Sequence, residues 1–194
     1  MPRHLCSWRH RWDDPERAYR TIYCAETALT CLREVLADLR PNAKAIAELK
    51  ELFGDDTPAL RGVGEVAAEW RDAHLLCPAL AAGPHEFCDL DAEVELRNEL
   101  EHELALLLAM HDMDHLDISQ VRSRDRFVTQ TVGRALYERD YGGVRFGSNL
   151  DDRPCYALFE GRAELERSGD PLELSPDLEP LRQVCDEFGL RLSA

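Results

Sequence analysis

Three residues near the start of the chain have side chains suited to binding and chemistry, at nearly even spacing. In RWDDPERAYRTIYCAETALTCLREVLADL, which begins at Arg11, the residues Arg11, Tyr23 and Glu34 are separated by twelve and then eleven positions. Arginine presents a planar set of donors that matches a phosphate bidentately. Tyrosine offers a flat face with a polar tip, and a glutamate can steady a developing positive charge. Further on, Ser148 follows Gly147 in VRFGS. The spacing permits one site laid out along a turn, a strand and a helix. It equally permits unrelated residues: Glu34 lies off its helix's leucine stripe and alone reads as solvated. Tyr23 in an apolar strand reads as a core residue, Arg11 stands among Arg3, Arg9, Arg17 and Arg20, and a serine after glycine suits a turn.

Other clusters carry weaker chemistry. In HDMDHLD, His111 and His115 are four apart, with Asp112, Asp114 and Asp117 as possible oxygen ligands for a divalent metal. The spacing departs from HExxH, and polar clusters at a helix end usually face water, so no metal is expected. GVG at Gly62 to Gly64 lacks the strand, third glycine and helix of a dinucleotide fingerprint. Cys24 and Cys31 lie close in sequence to the proposed site without an evident histidine partner, which favours structural thiols.

The elements that would position these residues follow from periodicity and punctuation. RTIYCA reads as a strand, and Glu26 and Thr27 open a helix to about Arg40, with Leu29, Leu32, Val35, Leu36 and Leu39 on one face and Pro41 as its stop. A second helix, about Lys44 to Phe53, closes at Gly54. The region Gly54 to Gly83 is too punctuated to assign. HEFCDL is the next strand, before a long acidic helix through EVELRNELEHELALLLAM whose Leu96, Leu100, Leu104 and Leu107 should pack on the core. A helix over about Phe127 to Arg139, strands in VRFGS and CYALFEG, and a helix opened by Ser175 and Pro176 and closed by Gly189 lead to a terminal strand RLS. Strands and helices are interspersed without a βαβ rhythm, which indicates an α+β fold of small mixed sheets flanked by helices.

The bulk numbers narrow the function classes. A chain of 194 residues can bury one core unaided and is expected to form a single domain over 1–194. No apolar run approaches a membrane span. The basic N-terminus has no apolar segment behind it, so a secretory signal is not indicated and a cytoplasmic location is expected. Seven cysteines without a CxxC pair point to free thiols. A net charge of -15 argues against direct nucleic-acid binding. Only Lys44 and Lys50 are lysines and the other 21 basic residues are arginines, which leaves room for a local anion site.

The opening string resembles the first motif of the RES domain, a family named for its arginine, glutamate and serine. FVTQTVGRALYERDYGGVRFGSNLDDRPCYALFEGR is similar to the part of that domain carrying the serine, and the order and spacing of the pieces agree from about residue 10 to the C-terminal GLRL. The resemblance implies an ADP-ribosyltransferase-like α+β fold and a toxin of a bacterial toxin–antitoxin pair that consumes NAD. Phosphate, water or a protein would then accept ADP-ribose. Carried over by motif, the family's arginine falls on Arg11, its tyrosine on Tyr23, its glutamate on Glu34 and its serine on Ser148. In that reading Arg11 contacts phosphate and Tyr23 stacks on the nicotinamide ring. Glu34 holds ribose hydroxyls and stabilises an oxocarbenium-like transition state, as carboxylates do in glycoside cleavage. Ser148 hydrogen-bonds a phosphate or the carboxamide.

The implied partners are NAD and a helix-turn-helix antitoxin, with which family members often form larger assemblies; neither membrane nor metal is expected. Only ten residues precede Arg11, and His10 stands where family members carry a glycine, so the element before Arg11 is read as truncated. Two alternatives accompany the enzyme: a catalytically degenerate member that only binds a partner, and a metal-dependent hydrolase built on His111 and His115.

Overall fold

A computed structural model describes residues 8–122 and 126–193. In chain order these form β1 (Thr21–Ala25), α1 (Ala28–Leu36), α2 (Ala43–Phe53), β2 (Glu65–Val66), α3 (Ala68–Asp72), β3 (Leu75–Leu76) and β4 (Ala79–Ala82). There follow β5 (Phe87–Asp89), α4 (Val94–Ala109), α5 (Ile118–Val121), α6 (Arg126–Glu138), β6 (Gly143–Gly147) and β7 (Pro154–Phe159). The chain ends with β8 (Glu164–Arg167), β9 (Leu172–Glu173), α7 (Glu179–Phe188) and β10 (Arg191–Leu192). The mixture is α+β, as the patterning indicates. No helix among the described residues is long and apolar enough to cross a membrane.

The described residues cluster into two compact units, one within 1–26 and 80–166, the other within 27–79 and 167–194. In the first, four strands pair in the order β1-β7-β6-β5, antiparallel except for β5 and β6. Alternation along a strand sends successive side chains to opposite faces. Cys88, Val144, Phe146, Cys155, Ala157 and Phe159 therefore join the buried cluster with Leu96, Leu100, Leu104 and Leu108 of α4 and Val128, Val132 and Leu136 of α6. The register aligns Asp89, Arg145, Tyr156 and Cys24 in one row across the four strands. Strand β6 lies tightly on β7 at Gly143, where a Cβ would stand 2.2 Å from the Ala157 carbonyl oxygen.

The second unit is built on α1 and α7. Thr27 caps α1 by accepting the Thr30 N–H at 3.1 Å, and Asn42 caps α2 at Ala45. Leu32, Leu36, Leu181, Val184 and Phe188 are buried, each such side chain contributing about 1.5–3 kcal/mol of apolar burial. Short pairs β2–β10 and β3–β9 complete the unit.

Three expectations are corrected. Helix α1 ends at Leu36 and passes into a 3-10 turn over Ala37–Leu39, and Val35 is 53% exposed: the buried edge of the stripe is Leu32 and Leu36. On α4 the fourth core leucine is Leu108, not Leu107: Leu108 is buried and Leu107 exposed, an outcome set by how α4 lies on the core of its unit and not by the helical period, which allows either. Ser175 is not the cap of α7; it starts a turn in which the Leu178 N–H reaches its carbonyl, and the helix begins at Glu179 with Pro180 in its first turn.

Candidate functional site

The motif WDDP builds a rigid turn from two buried carboxylates. Asp13, 6% exposed, accepts the His10 N–H at 2.8 Å and the Tyr23 hydroxyl at 3.2 Å. The same hydroxyl accepts the Trp12 N–H at 2.7 Å, and Thr21 donates to the Trp12 carbonyl at 3.1 Å. Asp14, fully buried, accepts the N–H groups of Glu16 and Ala18 and a guanidinium N–H of Arg134. Each bond satisfies a group that burial would otherwise penalise. The turn that carries Arg11 is thus pinned to β1 and to α6.

Tyr23 is 37% exposed, and its hydroxyl is held between the Trp12 N–H and Asp13. Burial raises its pKa well above the usual tyrosine value, and the neighbouring Asp13 charge raises it further. The ring meets His10 edge-on at 5.7 Å. Arg11 donates through Nη2 to the Val121 carbonyl at 2.5 Å, and its guanidinium lies 5.2 Å from the Phe146 ring centroid and 5.6 Å from that of Trp12.

From Val121 the contacts continue to the end of β6. Arg122 grips Asp91 bidentately, Nη2 to Oδ2 at 2.6 Å and Nε to Oδ1 at 3.2 Å, and pairs with Asp152 at 3.2 Å. The Asp91 carboxylate also accepts the Gly147 N–H at 3.4 Å. The Arg122 hydrogen bond holds the Asp91 carboxyl below its usual pKa range, with Arg122's charge, the Gly147 N–H and the Arg11 charge acting the same way against burial. Arg145 pairs with Asp89, and Tyr156 donates to Glu26 at 2.7 Å. Asp91, Arg122, Arg145, Gly147, Asp152 and Pro154 line a cavity of about 210 Å³. A Cβ at Gly147 would lie 2.8 Å from Asp152 Oδ1 and 3.2 Å from Arg122 Nη2, so close packing suits glycine before the serine.

Ser148 is 3% exposed. Its N–H donates to the Arg153 carbonyl at 2.9 Å, and its hydroxyl oxygen accepts the Leu150 N–H at 3.1 Å, which closes the β6–β7 loop. Arg11, Tyr23 and Ser148 thus belong to one unit and are joined by a continuous run of contacts through Trp12, Val121, Arg122, Asp91 and Gly147. Glu34 lies in the other unit, exposed on α1, where its charge adds to the burial that raises the Cys31 pKa.

Sequence reasoning missed Arg122, Arg145, Asp91 and Asp13. The only signals were the alternation that places Arg145 on the polar face of VRFGS and the carboxylates inside CDLD and WDDP. In HDMDHLD the two histidines take separate roles. His111 stacks on Phe127, and His115 faces Glu101 at 3.2 Å. Among the described residues no three His, Cys, Asp or Glu side chains converge as a metal set.

A family model described as the RES domain matches residues 6–177. The fold is similar to a chain in the crystal structure of the M. tuberculosis MbcT-MbcA toxin-antitoxin complex, with 16% identity, a TM-score of 0.46, and coverage of 92% of this chain and 75% of that one. Comparison with curated proteins gave no match.

Proposed function

The chain belongs to the RES domain family, and from that premise we propose that it is the NAD-consuming toxin of a toxin–antitoxin pair. The observation that carries this reading is the family match over residues 6–177, which spans all four motif positions, Arg11, Tyr23, Glu34 and Ser148. The run of contacts joining three of them to Arg122, with Arg145 lining the same cavity, supports it, because a dinucleotide needs cationic donors for its pyrophosphate.

NAD carries a pyrophosphate, two riboses and a cationic nicotinamide. Arg11, with Arg122 and Arg145 along the same edge, supplies planar donors for the phosphates. The exposed part of the Tyr23 ring offers a face for the nicotinamide while its hydroxyl stays fixed to Trp12 and Asp13. In the reaction the bond between ribose C1′ and the nicotinamide nitrogen breaks, and its electron pair neutralises the pyridinium. Nicotinamide therefore leaves uncharged, and no strong general acid is required. Glu34 is assigned, from the family motif, to the ribose hydroxyls and to the positive charge that develops at C1′. The new bond to C1′ comes from phosphate, giving ADP-ribose 1″-phosphate. From water it gives ADP-ribose and a proton, and from a protein side chain an ADP-ribosylated protein.

The test is chromatographic measurement of NAD consumption by the purified chain, with and without inorganic phosphate, beside Arg11→Ala and Glu34→Ala. Nicotinamide release lost in both variants is expected, and the product formed identifies the acceptor. Absence of turnover, with no growth arrest on expression, would leave a partner-binding protein without catalysis.

A further inference from the structure

A second cavity, of about 380 Å³, lies entirely within the other unit, between α3 with β3 and the segment from β9 to Pro176. Its walls include Arg71, Asp72, His74, Leu75, Glu173 and Ser175. Arg71 is only 6% exposed, and among the described residues its guanidinium donates one hydrogen bond, from Nη2 to the neutral Ser193 carbonyl at 2.5 Å. Its Nε is buried without a hydrogen-bond partner. Among the described residues no carboxylate lies within ion-pair distance of it. A buried cation left without a counter-charge is costly, and a structure that retains one offers a place for an anion.

The rest of the lining restricts which anion fits. Asp72 and Glu173 stand at the same cavity, both exposed and without an ion-pair partner among the described residues. They would repel a multiply charged anion such as phosphate. A ligand carrying a cationic group beside its carboxylate satisfies both signs of charge at once. Leu75, Leu174 and Pro176 add an apolar wall. His74 is oriented as well: its Nδ1 lies 2.6 Å from the Trp70 carbonyl, which can only accept, so Nδ1 carries the proton and the ring stacks on Trp70.

We propose that this cavity binds a small zwitterion of the free aliphatic amino acid class, its carboxylate held by Arg71 and its ammonium by Asp72 and Glu173. The proposal is independent of NAD consumption, because its residues all lie outside the site described above.

The experiment uses the intact chain and three probes: L-leucine with both charges, 4-methylpentanoate without the amine, and 3-methylbutylamine without the carboxylate. Calorimetric titration should show L-leucine binding, with each single-charge probe weaker by about tenfold or more, the effect of losing one charged contact. The exposed pair of changes Asp72→Asn with Glu173→Gln should weaken L-leucine and strengthen 4-methylpentanoate, a change of opposite sign that general destabilisation cannot produce. Arg71→Gln should abolish both carboxylate ligands in protein whose circular dichroism matches wild type. Absence of L-leucine binding to the wild-type chain would overturn the proposal. So would 4-methylpentanoate binding as tightly as L-leucine, or binding that survives the Asp72 and Glu173 changes unaltered.

Discussion

Replacing Tyr23 with phenylalanine separates two roles that the family motif leaves merged. The ring stays, so a purely stacking role would be preserved. The hydroxyl goes, and with it the acceptor for the Trp12 N–H at 2.7 Å and the donor to Asp13 at 3.2 Å. Asp13 keeps the His10 N–H but loses one of its bonds, while the Trp12 N–H is left without the acceptor it now uses. An unsatisfied buried donor costs about 1–3 kcal/mol, and a bond to a charged group is worth about 1.5–3 kcal/mol. Partial relaxation and water entry reduce the sum, so about 2–3 kcal/mol is expected. For a chain of this size each kcal/mol moves Tm by roughly 2–4 °C, and thermal unfolding should therefore fall by roughly 4–12 °C. Because the same turn carries Arg11, NAD consumption should fall too, chiefly through kcat/KM. A Tyr23→Phe protein with unchanged Tm and unchanged kcat/KM would refute the idea that this hydroxyl holds the arginine in place.

Asp91→Asn tests the carboxylate between Arg122 and the Gly147 N–H. A carboxyl whose folded pKa is depressed stabilises the fold above its unfolded pKa of about 3.9 and loses that contribution as pH falls through the lower folded value. Acid unfolding of wild type should accordingly be steeper below about pH 4 than that of the variant, as followed by circular dichroism; coincident curves would contradict the depressed pKa. Gly143→Ala would drive a Cβ to within 2.2 Å of the Ala157 carbonyl oxygen, backbone that cannot yield, and should cost about 3 kcal/mol or more in urea unfolding. Gly147→Ala meets the end of the exposed Asp152 side chain and should cost clearly less. Leu108→Ala should cost about 2–5 kcal/mol and Leu107→Ala under about 1 kcal/mol, since only the former is buried. A chelator should leave NAD consumption unchanged, and its loss would instead favour a metal centre at His111 and His115.

Much of the fold is legible because one-dimensional rules govern it. The strands TIYCA, GVRFG and PCYALF, the helix opening at Thr27 and the glycines that close α2 and α7 each follow from a few neighbouring residues. The misjudged details are those settled by neighbours distant in sequence. Leu107 and Leu108 are equally apolar, and only the position of α4 in the first unit's core decides which is buried. Ser175 followed by Pro176 has the local form of a helix start, yet the helix begins only at Glu179, after a turn. The punctuated stretch from Gly54 to Gly83 holds only two-residue strands, a short helix and turns before β4, elements too brief to leave a period.

The site divides along the same line. Tyr23 is bonded to Trp12, the residue after Arg11, across eleven residues, so the turn that carries Arg11 is tied to β1. Arg122 meets Asp91 across 31 residues and Arg145 meets Asp89 across 56, so beyond the strand alternation at Arg145 nothing local marks these arginines among the other 19 of the chain. Their pairing also limits what the net charge of -15 means for an anionic substrate. At physiological salt, charges more than about 8 Å away are largely screened, so the potential at the end of β6 is set by Arg11, Arg122 and Arg145 against Asp89, Asp91 and Asp152. These nearly cancel in the free protein. A phosphate arriving there must compete with carboxylates already bound, and the planar fork of Arg122 can grip one oxyanion pair bidentately at a time. Asp91 already holds the Nε and Nη2 fork that a phosphate would need. Removing Asp91 should strengthen pyrophosphate binding to the free chain while leaving Arg122 in place, measurable by calorimetry against Arg122→Ala. Weaker pyrophosphate binding in Asp91→Asn would mean instead that the carboxylate is needed to orient the arginine.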